Sequence, residues 1–317
     1  METLPTIADI KKAAKRIKPY IHRTPVLSST GINKLCGGEI FFKCENLQKV
    51  GAFKARGAAN AVFSLSEEEA SAGVATHSSG NHAAALALAA RSRGIKSYIV
   101  MPENSPQVKK TAVAGYGAEI FYCAPTLKAR EAGLEEVIKK TGAVFIHPYN
   151  DARIIAGQGT AALELLDEVC QLDIVMTPVG GGGLTSGTAI AVKALSPFTQ
   201  MIAAEPENAD DAYRSLQEGK IMPPLPPNTI ADGLRTALGT LTFAVIQKHV
   251  NAIVTVSEQS IIDAMRLLWE RMKIIIEPSS AVPLAAVLSG KMDVKGKRIG
   301  IILSGGNVDM DNLPWSK

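Results

Sequence analysis

The chain has 317 residues, 46% of them hydrophobic and 20% charged, enough apolar material for more than one packed core and too little charge for a disordered chain. A net charge of +4 and 5% aromatic residues supply neither a phosphate-neutralising surface nor base-stacking rings, which argues against nucleic acid as a partner. The start, METLPTIADIKKAAKRIKPYI, has no apolar core of a signal peptide, and the alanine-rich stretch Ala83 to Ala90 is too short to span a bilayer, so no membrane partner and a cytoplasmic location are expected.

In chain order, short β-branched runs alternate with helical stretches. The basic segment Lys11 to Lys18 reads as a surface helix, Ala58–Leu65 as a helix, Gly73–His77 as a strand and Asn81–Arg93 as a helix. Strand Ser97–Met101, helix Gln107–Tyr116, strand Glu119–Tyr122 and helix Thr126–Thr141 complete a βαβαβα unit. A second series follows: helix Gly159–Val169, strand Asp173–Pro178, helix Leu184–Leu195, strand Met201–Glu205, and late strands at Ala252–Val256 and Arg298–Leu303. The pattern predicts an α/β fold with mainly parallel sheet split between two lobes. Met222–Asn228, MPPLPPN, is an extended loop, because its prolines remove backbone donors. Cys36, Cys44, Cys123 and Cys170 lack C-x-x-C spacing and a nearby histidine, which fits reduced, mostly packed thiols.

Five motifs could carry chemistry. Gly180-Gly181-Gly182-Gly183 follows a strand and opens a helix, where glycines let successive N–H groups converge on a phosphate at the helix N-terminus; a tight strand–helix turn is the plainer alternative. The spacing is neither G-x-G-x-x-G nor Walker A. Lys54, in GAFKARG, stands beside an aromatic ring at a helix start, a setting that lowers an amine toward Schiff-base use, although a lone lysine is normally solvent-facing. Thr76-His77-Ser78-Ser79-Gly80-Asn81-His82, where a strand ends and a helix begins, offers hydroxyls, an amide and free N–H groups to a carboxylate, or simply caps a helix. Ser304-Gly305-Gly306-Asn307 lies at a strand's carboxyl end, where α/β proteins place ligands. Ala204 to Asp211 is a solvated acidic loop or a set of oxygen ligands for a hard cation.

Taken together and in this order, AFKARG, SSGNH, GGGG, EPENADD and SGGN resemble the fold-type-II pyridoxal-phosphate enzymes, specifically the serine racemase and serine/threonine dehydratase family, over essentially the whole chain. The resemblance implies a tryptophan synthase β-like fold, with a large cofactor-binding domain of residues 1–50 and 147–317 and a small domain of residues 51–146. It implies interconversion of L- and D-serine, with β-elimination giving pyruvate or 2-oxobutanoate and ammonia; the alternatives are a dehydratase only, or a non-catalytic binder of a phosphate ligand. In that family pattern Lys54 would carry pyridoxal 5'-phosphate as a Schiff base and act as base on one face of the substrate, with Ser79 opposite it. Dehydratases of the family commonly show S-A-G-N-H, so the second serine points to racemisation. Phe53 would lie against the ring, Asn81 on its hydroxyl, Gly180, Gly181, Gly182, Gly183 and Leu184 on the phosphate, and Ser304 at the pyridine nitrogen. A serine there does not enforce protonation of the ring, which suits short-lived carbanions.

Ser78, Ser79, Asn81 and His82 would cradle the substrate carboxylate. Glu205, the Ala209 carbonyl and Asp211 match positions for Mg²⁺ (or Ca²⁺ or Mn²⁺), which shifts the reading of that loop from solvated to metal-binding. ATP as activator and a homodimer are further family expectations. The chain departs from the pattern at Ala52, where serine often precedes Phe-Lys, and at Tyr149-Asn150, where animal racemases have Asn and dehydratases an aromatic residue. No C-terminal regulatory domain is expected after Lys317, which argues against a feedback-controlled threonine dehydratase.

Overall fold

The structure is a computed structural model describing residues 3–78, 80–105 and 107–315, the side chain of Val108 excepted. Its helices and strands run α1 (Ile7–Ile17), β1 (Val26–Leu27), α2 (Thr30–Cys36), β2 (Glu39–Cys44), α3 (Lys54–Phe63), α4 (Glu67–Ser71), β3 (Val74–His77) and α5 (Asn81–Arg93). There follow β4 (Ser97–Pro102), α6 (Gln107–Gly115), β5 (Glu119–Cys123), α7 (Leu127–Thr141), β6 (Val144–Phe145), α8 (Ala152–Glu168), β7 (Ile174–Pro178) and α9 (Gly183–Leu195). The chain closes with β8 (Gln200–Pro206), α10 (Asp211–Glu218), α11 (Thr240–His249), β9 (Ala252–Val256), α12 (Glu258–Met272), α13 (Pro278–Leu288) and β10 (Arg298–Leu303).

These strands form two sheets, ordered β1-β2-β10-β7-β8-β9 and β5-β4-β3-β6. Every pairing is parallel except β1 with β2, as expected when helical crossovers separate the strands. Side-chain alternation builds a core on each face of the larger sheet. Val175 of β7 joins Ile155 and Leu165 of α8 and Val192 of α9 on one side, while Ile174 and Met176 join Leu268 of α12 and Leu284 of α13 on the other. The smaller sheet does the same, with Ile99 and Met101 against α5 and Tyr98 and Val100 against Leu134 and Val137 of α7.

Helix α8 begins seven residues before the predicted Gly159. Asp151 caps it, its carboxylate accepting from the N–H groups of Arg153 (2.7 Å) and Ile154 (3.4 Å). Its glycines serve close packing rather than a helix start: a Cβ on Gly157 would lie 2.6 Å from Gly57 Cα, and one on Gly159 2.7 Å from the Gly187 carbonyl. Helix α3 likewise starts at Lys54 rather than Ala58, which places the lysine in a first turn. Among the described residues no helix is long and apolar enough to cross a membrane.

Candidate active site

The carboxyl ends of β3, β7 and β10 lead into the SSGNH, glycine and SGGN loops, so both sheets contribute to one cleft, the position where open parallel sheets bind ligands. Lys54 enters this cleft on α3. The preceding residues are zipped to the SGGN loop: Phe53 N donates to the Ser304 carbonyl (3.0 Å), Gly306 N to the Gly51 carbonyl (2.9 Å), and Ala52 bridges Gly305. Behind the lysine, Arg56 is fully buried and clamped by Glu45 (2.7 Å) and Glu164 (2.8 Å), while buried Lys43 also meets Glu164 at 2.7 Å. Two cations against two carboxylates leave little uncompensated charge, and the clamp ties α3 to β2 and α8.

Lys54 Nζ donates to the Pro148 carbonyl at 2.8 Å. Desolvation lowers its ammonium from 10.5 to about 8, with the Glu277 carboxylate opposing, so about a tenth is the nucleophilic amine at pH 7 and about half at pH 8. The Phe53 ring lies 5.2 Å from Nζ.

The glycine loop fits a phosphate. Gly182 has φ +87°, a conformation costly for any residue with a Cβ, and the loop opens α9. Among the described residues no protein acceptor takes the N–H groups of Gly180 to Leu184, and a Cβ on Gly181 would overlap the Tyr149 ring. Orphan amides at a helix N-terminus, free of side chains, are an anion cradle. Tyr149, left without a role by sequence reasoning, thus forms a wall of this loop; its ring stands edge-on to His147, centroids 4.5 Å apart.

Ser304 is 2% exposed, with Oγ 3.1 Å from Ser280 Oγ. Because Ser280 spends its proton on the Gly305 carbonyl (2.6 Å), Ser304 is the donor between the two hydroxyls, and its one proton can rotate from Ser280 to a ring nitrogen. Asn81 opens α5 and donates to both oxygens of Glu277 (3.1 and 3.0 Å). Glu277 is 4% exposed, and burial raises its carboxyl to about 7, aided by Asp232. Neither Glu277 nor Ser280 belongs to a motif visible in the sequence; only the E-P step opening α13 could have drawn attention to them.

Ser78 N donates to the Val100 carbonyl (3.1 Å) and its Oγ accepts from Gly80 N (3.3 Å), leaving the loop ready to meet a carboxylate. Ser79 lies outside the described residues. The His82 ring turns into the small-sheet core, with Nε2 3.3 Å from the Ile146 carbonyl and 2% exposure; burial pushes its imidazolium well below the usual value. A carboxylate would therefore meet the backbone of residue 82, not its ring. His147 is also neutral: desolvation lowers it to about 4, and its Nδ1 accepts from the N–H groups of Tyr149 (3.2 Å) and Asn150 (2.9 Å).

Glu205 and Asp211 come together at the start of α10. Glu205 accepts from Ala212 N (3.1 Å) and Tyr213 N (2.9 Å), and Asp211 from Leu238 N (3.3 Å). Desolvation, with repulsion among Glu205, Asp211 and Asp210, raises Glu205 well above the usual range and Asp211 to about 6. Two buried carboxylates held by backbone amides, with the nearby Arg214 acting on Asp211 electrostatically while paired to Asp210, suit a divalent cation. Among the described residues no cluster of three or more metal-ligating side chains exists, so such an ion would need the Ala209 carbonyl and water.

Residues 17–305 match the family described as pyridoxal-phosphate dependent enzymes, and the chain belongs to that family. It is 54% identical to a serine racemase of Dictyostelium discoideum over 97% of this chain and 96% of that one. It is 52% identical to a β-hydroxyaspartate dehydratase of Paracoccus denitrificans over 99% of each. Among solved structures, maize serine racemase superposes with a TM-score of 0.95 at 48% identity, covering 98% of this chain and 95% of that one.

Proposed function

We propose that this chain is a serine racemase that also eliminates ammonia from serine and threonine. The observation that carries the reading is Lys54, held as a partly neutral amine in a cleft that also presents the glycine cradle and Ser304, in a chain 54% identical to a serine racemase. Pyridoxal phosphate bound at Lys54 would supply the electron sink that acidifies the substrate Cα–H. Phe53 and Asn81 would border the ring, Gly180 to Leu184 would hold the phosphate, and Ser304 would face the ring nitrogen without protonating it. Lys54 takes and returns the proton at Cα from one face and Ser79 from the other. Loss of the β-hydroxyl as water instead of reprotonation, followed by hydrolysis of the unsaturated product, gives pyruvate and ammonia from serine. Ser78, Ser79, Asn81 and the backbone at His82 receive the substrate carboxylate.

The reading takes residues 51–146 as the small domain, supported by the smaller sheet's strands all lying between Val74 and Phe145. It assigns Mg²⁺ to Glu205, the Ala209 carbonyl and Asp211, supported by the burial that raises both carboxyls. Incubation with L-serine, followed by chiral amino-acid analysis and a pyruvate assay, tests it: D-serine and pyruvate should both appear, and pyruvate without D-serine would leave a dehydratase only.

A second reading rests on Arg130 of α7. It acts electrostatically on His77 and Tyr149, and its Nε is buried without a hydrogen-bond partner among the described residues. A guanidinium so placed suits a second substrate carboxylate, as in β-hydroxyaspartate. A kcat/KM for β-hydroxyaspartate above that for serine, abolished by Arg130→Leu, would favour it.

A further inference from the structure

Asn81 can offer a ligand either its N–H or its carbonyl, and two remote residues decide which. Asn307 Nδ2 donates to the Val50 carbonyl at 2.7 Å and to Asn81 Oδ1 at 2.9 Å. A backbone carbonyl only accepts, so the nitrogen of Asn307 must face it, and both hydrogens of that nitrogen are then spent. The Asn81 atom facing Asn307 must therefore be oxygen, which turns the Asn81 nitrogen to Glu277, where it meets both carboxylate oxygens (3.1 and 3.0 Å). Asn307 N donates to the same carboxylate at 3.2 Å. With Oδ1 occupied and one hydrogen committed to Glu277, Asn81 has a single hydrogen left. Gly51 completes the arrangement: at φ +66°, a Cβ there would stand 2.7 Å from Asn307 Oδ1 and push the amide out of line.

We propose that Asn307 is a positioning residue that, with Glu277, fixes Asn81 so that an N–H and not a carbonyl meets the phenolic oxygen of pyridoxal phosphate. The inference rests on the reading that the cofactor ring lies against Asn81. A fixed donor stabilises the oxygen as phenolate, which favours the visible-absorbing form of the bound cofactor over the near-ultraviolet one. An amide free to flip would present its carbonyl to that anion for part of the time.

The test is Asn307→Asp, nearly isosteric but without the donor, compared with Asn81→Ala and the double variant. The readouts are the visible to near-ultraviolet absorption ratio of bound pyridoxal phosphate and its dissociation constant from cofactor fluorescence. Asn307→Asp should lower the ratio and weaken the cofactor about tenfold, the loss of one charge-assisted hydrogen bond. In the Asn81→Ala background it should change neither readout further, whereas a merely structural role would add to both. An unchanged ratio and affinity in Asn307→Asp, or additive effects in the double variant, overturns the inference. Borohydride fixation of cofactor onto Lys54 in the wild-type protein separates that result from a failure of the cofactor reading itself.

Discussion

Replacing Gly157 by alanine should damage catalysis more than stability. Helix α8 crosses α3 at Gly157, where the added methyl would lie 2.6 Å from Gly57 Cα, 2.7 Å from the Arg56 carbonyl and 2.9 Å from Asn60 Cβ. Ordinary contact begins near 3.4 Å, so the helices must part by about 0.8 Å, and two of the three obstacles are backbone that cannot rotate away. Overpacking of this kind costs about 1–3 kcal/mol, a loss of a few degrees in melting temperature. The same shift moves the first turn of α3, which carries Lys54 and is stitched to the Ser304 loop through Phe53. A displacement near 1 Å in a reacting group can cost about 100-fold, so kcat on serine should fall roughly 10- to 100-fold. Gly115→Ala is the control, since nothing lies within 4 Å of the added atom; it should leave both properties unchanged. Melting followed by circular dichroism and turnover on L-serine give the two numbers. A Gly157→Ala protein that melts and turns over like wild type would refute the claim that this crossing holds Lys54 in place.

Other perturbations probe the site from different sides. Because the Lys54 ammonium is depressed to about 8, the neutral amine accumulates as pH rises through 8, so the rate of cofactor uptake by apoprotein should climb from pH 7 to 9 and then level; a rate still rising tenfold per pH unit between 9 and 10 would contradict the depression. Lys109 of α6 pairs with Asp232, and both act electrostatically on Glu277; Lys109→Glu should raise KM for serine severalfold, and adding Asp232→Lys should restore it, while no recovery would show that the pair is incidental. Arg56→Met leaves Glu45 and Glu164 without their shared partner and should cost about 3–5 kcal/mol, read as loss of the cooperative melt near neutral pH. Chelation should lower the melting temperature of the wild-type protein and leave Asp211→Asn unmoved if the cation sits at Glu205 and Asp211.

How much of this was legible in the sequence depends on how far each signal reaches along the chain. β9 and β10 fall on their predicted residues and Asn81–Arg93 is α5 to the residue, because alternation and glycine or serine boundaries are local. Gly159 misled the reading of α8 for the opposite reason: its meaning lies in what crosses it, Gly187, and a glycine chosen for contact looks the same in sequence as one chosen for a turn. The loops divide the same way. Gly180 to Gly183 announce themselves, since four glycines carry an entropic cost that demands a reason, whereas Glu277 and Ser280 are ordinary residues at the start of a helix. Glu277 meets Asn81 across 196 positions only because β3 and β10 end in the same cleft. Motifs thus reveal which groups can touch a ligand; the partners that decide which atom each group presents carry no local signal. Asn307 stands between the two cases: it was visible as part of SGGN, but its task emerges only from the acceptor-only Val50 carbonyl on one side and the Glu277 carboxylate on the other. Orientation in this site is therefore a property of the assembled hydrogen-bond chain, and substitutions that keep every motif residue while reversing one donor should still change how the cofactor is held.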